Sequence, residues 1–164
     1  MNVALCREDA TYVGCEMLCV NWRVSRVTLD ELQAIEVSVL WHTEGKGDED
    51  LNVHHFLRVD EGQIRRAGLT DEQSLTCRLP ATPLSYHGRL ISVRWCARLR
   101  LFLKSGREIV TEQPFHLVTS EIAKRRRAEV LASLRDVDDA TEINEISQAE
   151  SIVKVTSRNA PAKL

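Results

Sequence analysis

Arg89-Leu90-Ile91-Ser92-Val93-Arg94-Trp95-Cys96-Ala97-Arg98-Leu99-Arg100-Leu101-Phe102-Leu103-Lys104 is the stretch on which the fold can be decided. Ile91, Val93, Trp95, Ala97, Leu99, Leu101 and Leu103 take alternate positions, with Ser92, Arg94, Arg98, Arg100 and Lys104 between them. A helix scatters such residues around its circumference, whereas a strand gathers them on one face and leaves the guanidinium groups in water. The spacing predicts a long, half-buried strand. At roughly 1.5–3 kcal/mol per large apolar side chain buried, before entropy is subtracted, this face supplies on the order of ten kcal/mol toward folding. A slip of one residue would bury the four cations instead.

Working outward, Lys104-Ser105-Gly106-Arg107 breaks the pattern and Glu108 to Val118 resumes it, which reads as a hairpin turning at Ser105-Gly106. Pro114 marks an edge or a bulge, because it cannot donate to a ladder. Ile35, Val37, Val39 and Trp41 alternate with Glu36, Ser38, Leu40 and His42 in a second half-buried strand. An acidic loop, Glu44-Gly45-Lys46-Gly47-Asp48-Glu49-Asp50, follows before strand character returns at Val53 to Val59. Val3 to Arg7, Met17 to Val24 and Ser74 to Leu79 complete the set, the last closed by Pro80 and Pro83. No segment before residue 119 sustains a helical period. The prediction is an all-β, antiparallel β-sandwich, with Trp41 and Trp95 facing each other across it.

Beyond Ser120 the composition changes. Ser120 can cap a helix with Glu121 in its first turn, and Ala123, Val130, Leu131 and Leu134 give a narrow apolar stripe beside Lys124-Arg125-Arg126-Arg127. Asp136 to Glu150 holds six acidic residues and no basic one, which reads as a mobile tail. The expected organisation is a sandwich over residues 1–119 and a charged helical or disordered tail over 120–164.

Composition bounds the function. With 164 residues, 43% hydrophobic and 28% charged, the chain has room for one soluble core plus an appendage, which disfavours most two-domain enzymes. Lys+Arg 22 against Asp+Glu 24 gives no net positive field, so dedicated nucleic-acid binding is not expected. Met1 to Glu8 carries no basic start leading into an apolar run, and no stretch nears the roughly 20 apolar residues of a membrane span. A cytoplasmic location with no transmembrane segment is the expectation. Five cysteines, Cys6, Cys15, Cys19, Cys77 and Cys96, are odd in number and irregularly spaced, and read as buried thiols.

Leu79-Pro80-Ala81-Thr82-Pro83-Leu84-Ser85-Tyr86-His87-Gly88-Arg89-Leu90-Ile91-Ser92-Val93-Arg94-Trp95 resembles the arrestin-like family. Those proteins end a strand on Leu-Pro, cross a loop with Pro, Ser-Tyr and Gly, and enter a long alternating strand. Tyr12, Glu16 and Leu18 sit as in the family's Tyr-x-Pro-Gly-Glu-x-Leu turn, with a departure at Gly14 and Cys15 where the family has Pro and Gly. The resemblance covers most of residues 1–119, about one arrestin sandwich. It implies an immunoglobulin-like sandwich of arrestin type that acts as an adaptor or scaffold, not an enzyme and without a cofactor.

Arg94, Arg98, Arg100 and Lys104 are the candidate binding residues: on a strand, alternate side chains lie roughly 7 Å apart along one face, which suits an acidic or phosphorylated protein segment. The competing reading pairs them with Glu108 and Glu112 across the hairpin. Cys15 and Cys19 form a lone four-residue step among scattered histidines, short of the four ligands of structural zinc. Asp48, Glu49 and Asp50 miss the spacing of a calcium loop. His54 and His55, adjacent on a strand, point to opposite faces and cannot chelate one metal together. Lys124 to Arg127 reads as a solvated helix face paired with Asp136, Asp138 and Asp139. Two alternatives to an interaction module stay open: a small metal- or thiol-dependent enzyme using His54 or His55, and a structural subunit of a homodimer.

Overall fold

A computed structural model describes residues 1–25, 27–67 and 72–132. The chain divides into two compact units, Met1–Ala123 and Lys124–Leu164. In chain order the strands are β1 (Asn2–Leu5), β2 (Thr11–Val13), β3 (Met17–Arg23), β4 (Leu32–Gly45), β5 (Leu51–Asp60), β6 (Gln73–Arg78), β7 (Tyr86–His87), β8 (Ile91–Leu103) and β9 (Glu108–Val118), with a helix α1 (Glu61–Ala67) between β5 and β6. They form two sheets, β1-β3-β6 and β2-β9-β8-β4-β5, with β7 pairing β8 at its start. The architecture is the all-β sandwich that the alternation predicts. One pair departs from antiparallel: β2 runs parallel to β9, Thr11 opposite His116.

Leu18, Val20 and Trp22 of β3 and Leu75 and Cys77 of β6 are buried from the small sheet, and Ile35, Val37 and Val39 of β4 with Trp95, Ala97, Leu99 and Leu101 of β8 from the large one. The alternation in β8 holds through its middle and fails at its start: Ile91 is 45% exposed while Ser92 is buried. Ile91 pairs with Gly45 at the tip of the β4–β5 hairpin, at the far end of the strand from the buried run. β4 is buried on both faces rather than one, since Glu36, Ser38 and Leu40 are buried too. Its central position between β5 and β8 lets long side chains from both, Arg58 and Arg100, close over Glu36 on its outer face.

Trp41 and Trp95 do not face each other across the sandwich. They are register partners on neighbouring strands of one sheet. Trp95 instead joins a line of rings, with Phe115 at 5.7 Å, Tyr12 beyond it at 5.6 Å from Phe115, and His54 on its other side at 6.1 Å. Its indole N–H donates to the Pro83 carbonyl at 2.8 Å, which fixes the loop before β7. Ser85 anchors the same loop to β9, its N–H reaching the Leu117 carbonyl at 2.7 Å and its Oγ accepting the Leu117 N–H at 2.9 Å. Leu79, at the loop's head, is buried. The Leu-Pro and Ser-Tyr steps therefore sit where this loop is tied to the core.

The Tyr12-to-Leu18 segment has an equally local cause. The Glu16 N–H donates to the Val13 carbonyl at 3.1 Å, closing a tight turn, and Glu16 Oε2 accepts both the Val13 N–H and Arg7 at 2.8 Å. Cys15 occupies the left-handed third position of that turn, with φ 67. Glycine is the residue suited to that conformation. Gly14, in contrast, is needed for space, because a Cβ there lies 3.0 Å from Ala81 Cα.

Two further features lay beyond the alternation. α1 spans only seven residues and, among its described side chains, buries Ile64 alone, so it has no period to read. Its signal is a capping box, Asp60 Oδ1 accepting the Gln63 N–H at 2.9 Å and Gln63 Oε1 accepting the Asp60 N–H at 3.0 Å. Residues 120–132 are helical, and Thr119 rather than Ser120 supplies the cap, its Oγ1 3.5 Å from the Ile122 nitrogen and its carbonyl 3.0 Å from the Ala123 nitrogen. The stretch read as a mobile tail, Asp136 to Glu150, lies outside the described residues.

Trp95→Ala is expected to lower the unfolding free energy by about 3–5 kcal/mol, the cost of a large core truncation. Cys15→Gly is expected to raise it by about 0.5–1 kcal/mol, the relieved left-handed strain exceeding glycine's entropic cost. Urea denaturation at constant slope measures both.

Candidate functional site

Arg94, Arg98 and Arg100 project from the outer face of the large sheet, away from the core, while Lys104 lies in the turn just past the end of β8. Register places side chains in rows across that face. One row reads Glu112, Arg98, Ser38, Phe56 from β9 to β5; the next reads Val110, Arg100, Glu36, Arg58. A third reads Glu108, Phe102, Ala34, Asp60. The three arginines share one face of β8, and each of the four cations has a carboxylate. Arg98 Nε lies 2.6 Å from Glu112, Arg100 Nε 2.5 Å from Glu108 and Arg94 Nε 3.0 Å from Glu44. Lys104 Nζ lies 2.8 Å from Glu61 at the start of α1, which also holds Arg65 at 3.0 Å. Glu36 is shared, pairing with Arg58 and lying 3.7 Å from Arg100.

These contacts set the charge states. Hydrogen bonds from Lys104, then Arg65, hold the Glu61 carboxyl below its ordinary range, and Arg94, then His42, do the same for Glu44. The Glu108 carboxylate pushes the Arg100 guanidinium upward. Cys96, buried in the row behind Arg98, has its thiol pushed up to about 12, first by desolvation and then by Glu112. Each guanidinium still has unused donors, since five N–H groups meet one or two carboxylate oxygens. Arg58 and Arg100 side chains remain 49% and 38% exposed, and both guanidiniums lie 5.4 Å from the Phe102 ring centre.

Apolar side chains that the sequence reading did not select stand among these pairs. Phe56 and Val53 on β5 and Val110 on β9 are about half exposed. β5 is the last strand of its sheet, bonded to β4 alone. A register shift between Val39 and Leu40 leaves His54 as the extra residue, with His55 opposite Val39 and Val53 opposite Leu40. That bulge turns Phe56 outward with Val53, a placement strict alternation would not give. The histidine signal changes as well. The two are not on opposite faces of a regular strand: His55 pairs with the inward residue Val39, and His54 Nε2 lies 2.8 Å from the Arg78 carbonyl, against Trp95.

The cysteines depart from the buried-thiol expectation. Cys6 and Cys19 are joined in a disulfide, Cys15 is exposed, and only Cys77 and Cys96 are buried free thiols. Cys19 is thereby taken from any pairing with Cys15. Among the described residues no group of three or more His, Cys, Asp and Glu side chains is arranged to hold a metal. Asp48 and Glu49 line an open cavity of about 320 Å³ under the β4–β5 hairpin, with His42, Glu44 and Ile91. In the helix from 120, Arg125 pairs with Glu129 at 3.0 Å; Asp136, Asp138 and Asp139 lie outside the described residues. Among the described residues no helix is long and apolar enough to cross a membrane.

The fold and this face define a two-sheet β-sandwich with an ion-paired outer sheet face. No family model matches the chain, and no curated protein does. Among solved structures it is similar to Spo0M, the sporulation control protein from Bacillus subtilis, at 13% identity and a TM-score of 0.44. That likeness covers 71% of this chain and 47% of the other, so the chain spans about half the length of the protein it matches.

Arg98→Glu sets a carboxylate beside Glu112 and is expected to cost about 1 kcal/mol, most of which returns in the swapped pair Arg98→Glu with Glu112→Arg. Thermal melts of the three proteins measure this. At pH 8, iodoacetamide is expected to label Cys15 within minutes and to spare Cys77 and Cys96 until urea is added, as mass spectrometry of the peptides reads.

Proposed function

We propose that this chain is a non-catalytic protein-interaction module of arrestin-like type that takes an extended acidic segment of a partner protein along the outer face of the large sheet. The observation that carries this is the juxtaposition on β5 and its neighbours of exposed apolar side chains, Phe56 and Val53, with guanidiniums that keep free donors, Arg58, Arg98 and Arg100. An extended segment laid beside β5 can bond to the unpaired side of that strand. Of the segment's side chains that point to the outer face, apolar ones then meet Phe56 and Val53 and a carboxylate two residues along meets Arg58 on the same strand, with Arg98 and Arg100 adding positive charge behind it. Arg94 and Lys104 extend the same line at either end. Residues 1–119 are the module in this reading, residues 120–164 tether or regulate it, and the protein works in the cytoplasm.

Fluorescence anisotropy with the full chain tests the reading, using a ten-residue peptide that repeats Val-Ser-Glu-Ser, so that Val and Glu share one face, and its Lys-for-Glu counterpart at low salt. Preference for the acidic peptide is expected, weakened at least tenfold by Phe56→Asp and by Arg98→Gln with Arg100→Gln. Equal affinity for both peptides, or affinity untouched by either variant, sinks it.

A further inference from the structure

We propose that Cys6 and Cys19 are a reversible thiol–disulfide site that latches the first strand of the sandwich in response to the surrounding thiol pool. Four observations converge on this pair. Register in the β1–β3 ladder runs from Asn2 opposite Arg23 to Leu5 opposite Val20, and the next step brings Cys6 opposite Cys19. The Cys6 N–H donates to the Cys19 carbonyl at 3.2 Å, so the ladder continues to that point. The two Cα atoms are 5.5 Å apart, the ordinary separation for a bonded pair, and the bond is formed.

The third observation is the face on which the bond lies. Val3 is turned into the core on β1, as are Leu18 and Val20 on β3. Cys6 and Cys19 occupy the opposite phase, toward solvent, with Cys6 exposed and Cys19 half-buried. An exposed disulfide is within reach of small thiols, in contrast to the buried Cys77 and Cys96. In a thiol-rich compartment such a bond works as a sensor rather than as permanent architecture.

The fourth is what the bond holds. β1 is four residues long and bonded only to β3, at the edge of the three-stranded sheet. The disulfide closes a loop of sequence separation 13 that contains β2 and the Arg7–Glu16 turn, where the chain passes from one sheet to the other. Opening it removes the one covalent tie between β1 and β3 and restores the loop's entropy in the unfolded chain. The exchange is balanced: two small thiols give up two protons and two electrons, the Cys6–Cys19 bond breaks, both sulfurs become thiols, and the small thiols leave as their own disulfide. The proposal is independent of what binds the outer face of the large sheet.

The full chain carrying Cys15→Gly, which removes the exposed third thiol, is equilibrated in mixtures of reduced and oxidised glutathione, quenched and alkylated. Intact mass is expected to show two interconverting species that differ by the Cys6–Cys19 bond. Hydrogen exchange at amides 3–6 is expected to be at least tenfold faster in the dithiol form, with amides 37–39 and 99–101 unchanged, and the melting midpoint is expected to fall by roughly 5 °C. Cys6→Ser with Cys19→Ser is expected to match the dithiol form and to ignore the glutathione ratio. Failure of the bond to form in oxidised glutathione, or equal exchange at amides 3–6 in the two forms, overturns the proposal.

Discussion

An indole cannot be buried without an acceptor for its N–H, and much of this structure answers that demand at Trp95. The ring is 1% exposed, and its N–H donates to the Pro83 carbonyl, on the loop that precedes its own strand. An unmet donor at that depth costs about 1–3 kcal/mol. The loop is therefore drawn over the end of the core, where Ser85 ties it to β9 on both backbone groups of Leu117. The same ring holds Phe115, and through it Tyr12, so a loop, β9 and the sheet-crossing segment all depend on one side chain.

The outer face of the large sheet obeys a different balance. Its charges sit opposite one another in register, and exposed pairs of this kind contribute only about 0–1 kcal/mol each. Their value lies in selection: a slip by one residue would set Arg98 opposite Thr111 or Gln113 and part it from Glu112. Glu36 is the exception to exposure, buried in the centre of the sheet and answered by two arginines from two strands. Face and core thus specify the same alignment by unrelated physics.

How much of this was legible follows from which interactions are local. The β8 strand, both hairpins and the turn at Gly106, with its φ of 81, could be read because period two and turn chemistry leave marks a few residues apart. The all-β sandwich followed from their recurrence. α1 carries its mark in the Asp60–Gln63 box, visible in sequence but overlooked for want of a period. Burial of Glu36, Ser38 and Leu40 was not legible, since it reflects the central place of β4, which strand order decides. The side-by-side tryptophans were missed for the same reason. In the candidate site, the alignment of Arg94, Arg98 and Arg100 and the pairing of Arg98 with Glu112 and Arg100 with Glu108 were readable across one hairpin. Phe56 was not, because a bulge at His54 shifts its phase. The Cys6–Cys19 bond joins strands whose register no local signal announces.

The lone parallel pair in the sandwich bears on how the protein is made. β2 is seated only when Thr11 to Val13 meet His116 to Val118, so residues near the beginning of the chain wait on residues at the end of the last strand. During synthesis the hairpins between them can close as they emerge, while Tyr12 stays without its Phe115 neighbour until β9 has left the ribosome. The nascent chain thus carries a greasy, unclosed seam from the emergence of Tyr12 to that of Phe115, and the interval before that seam shuts is when a chaperone has most to hold.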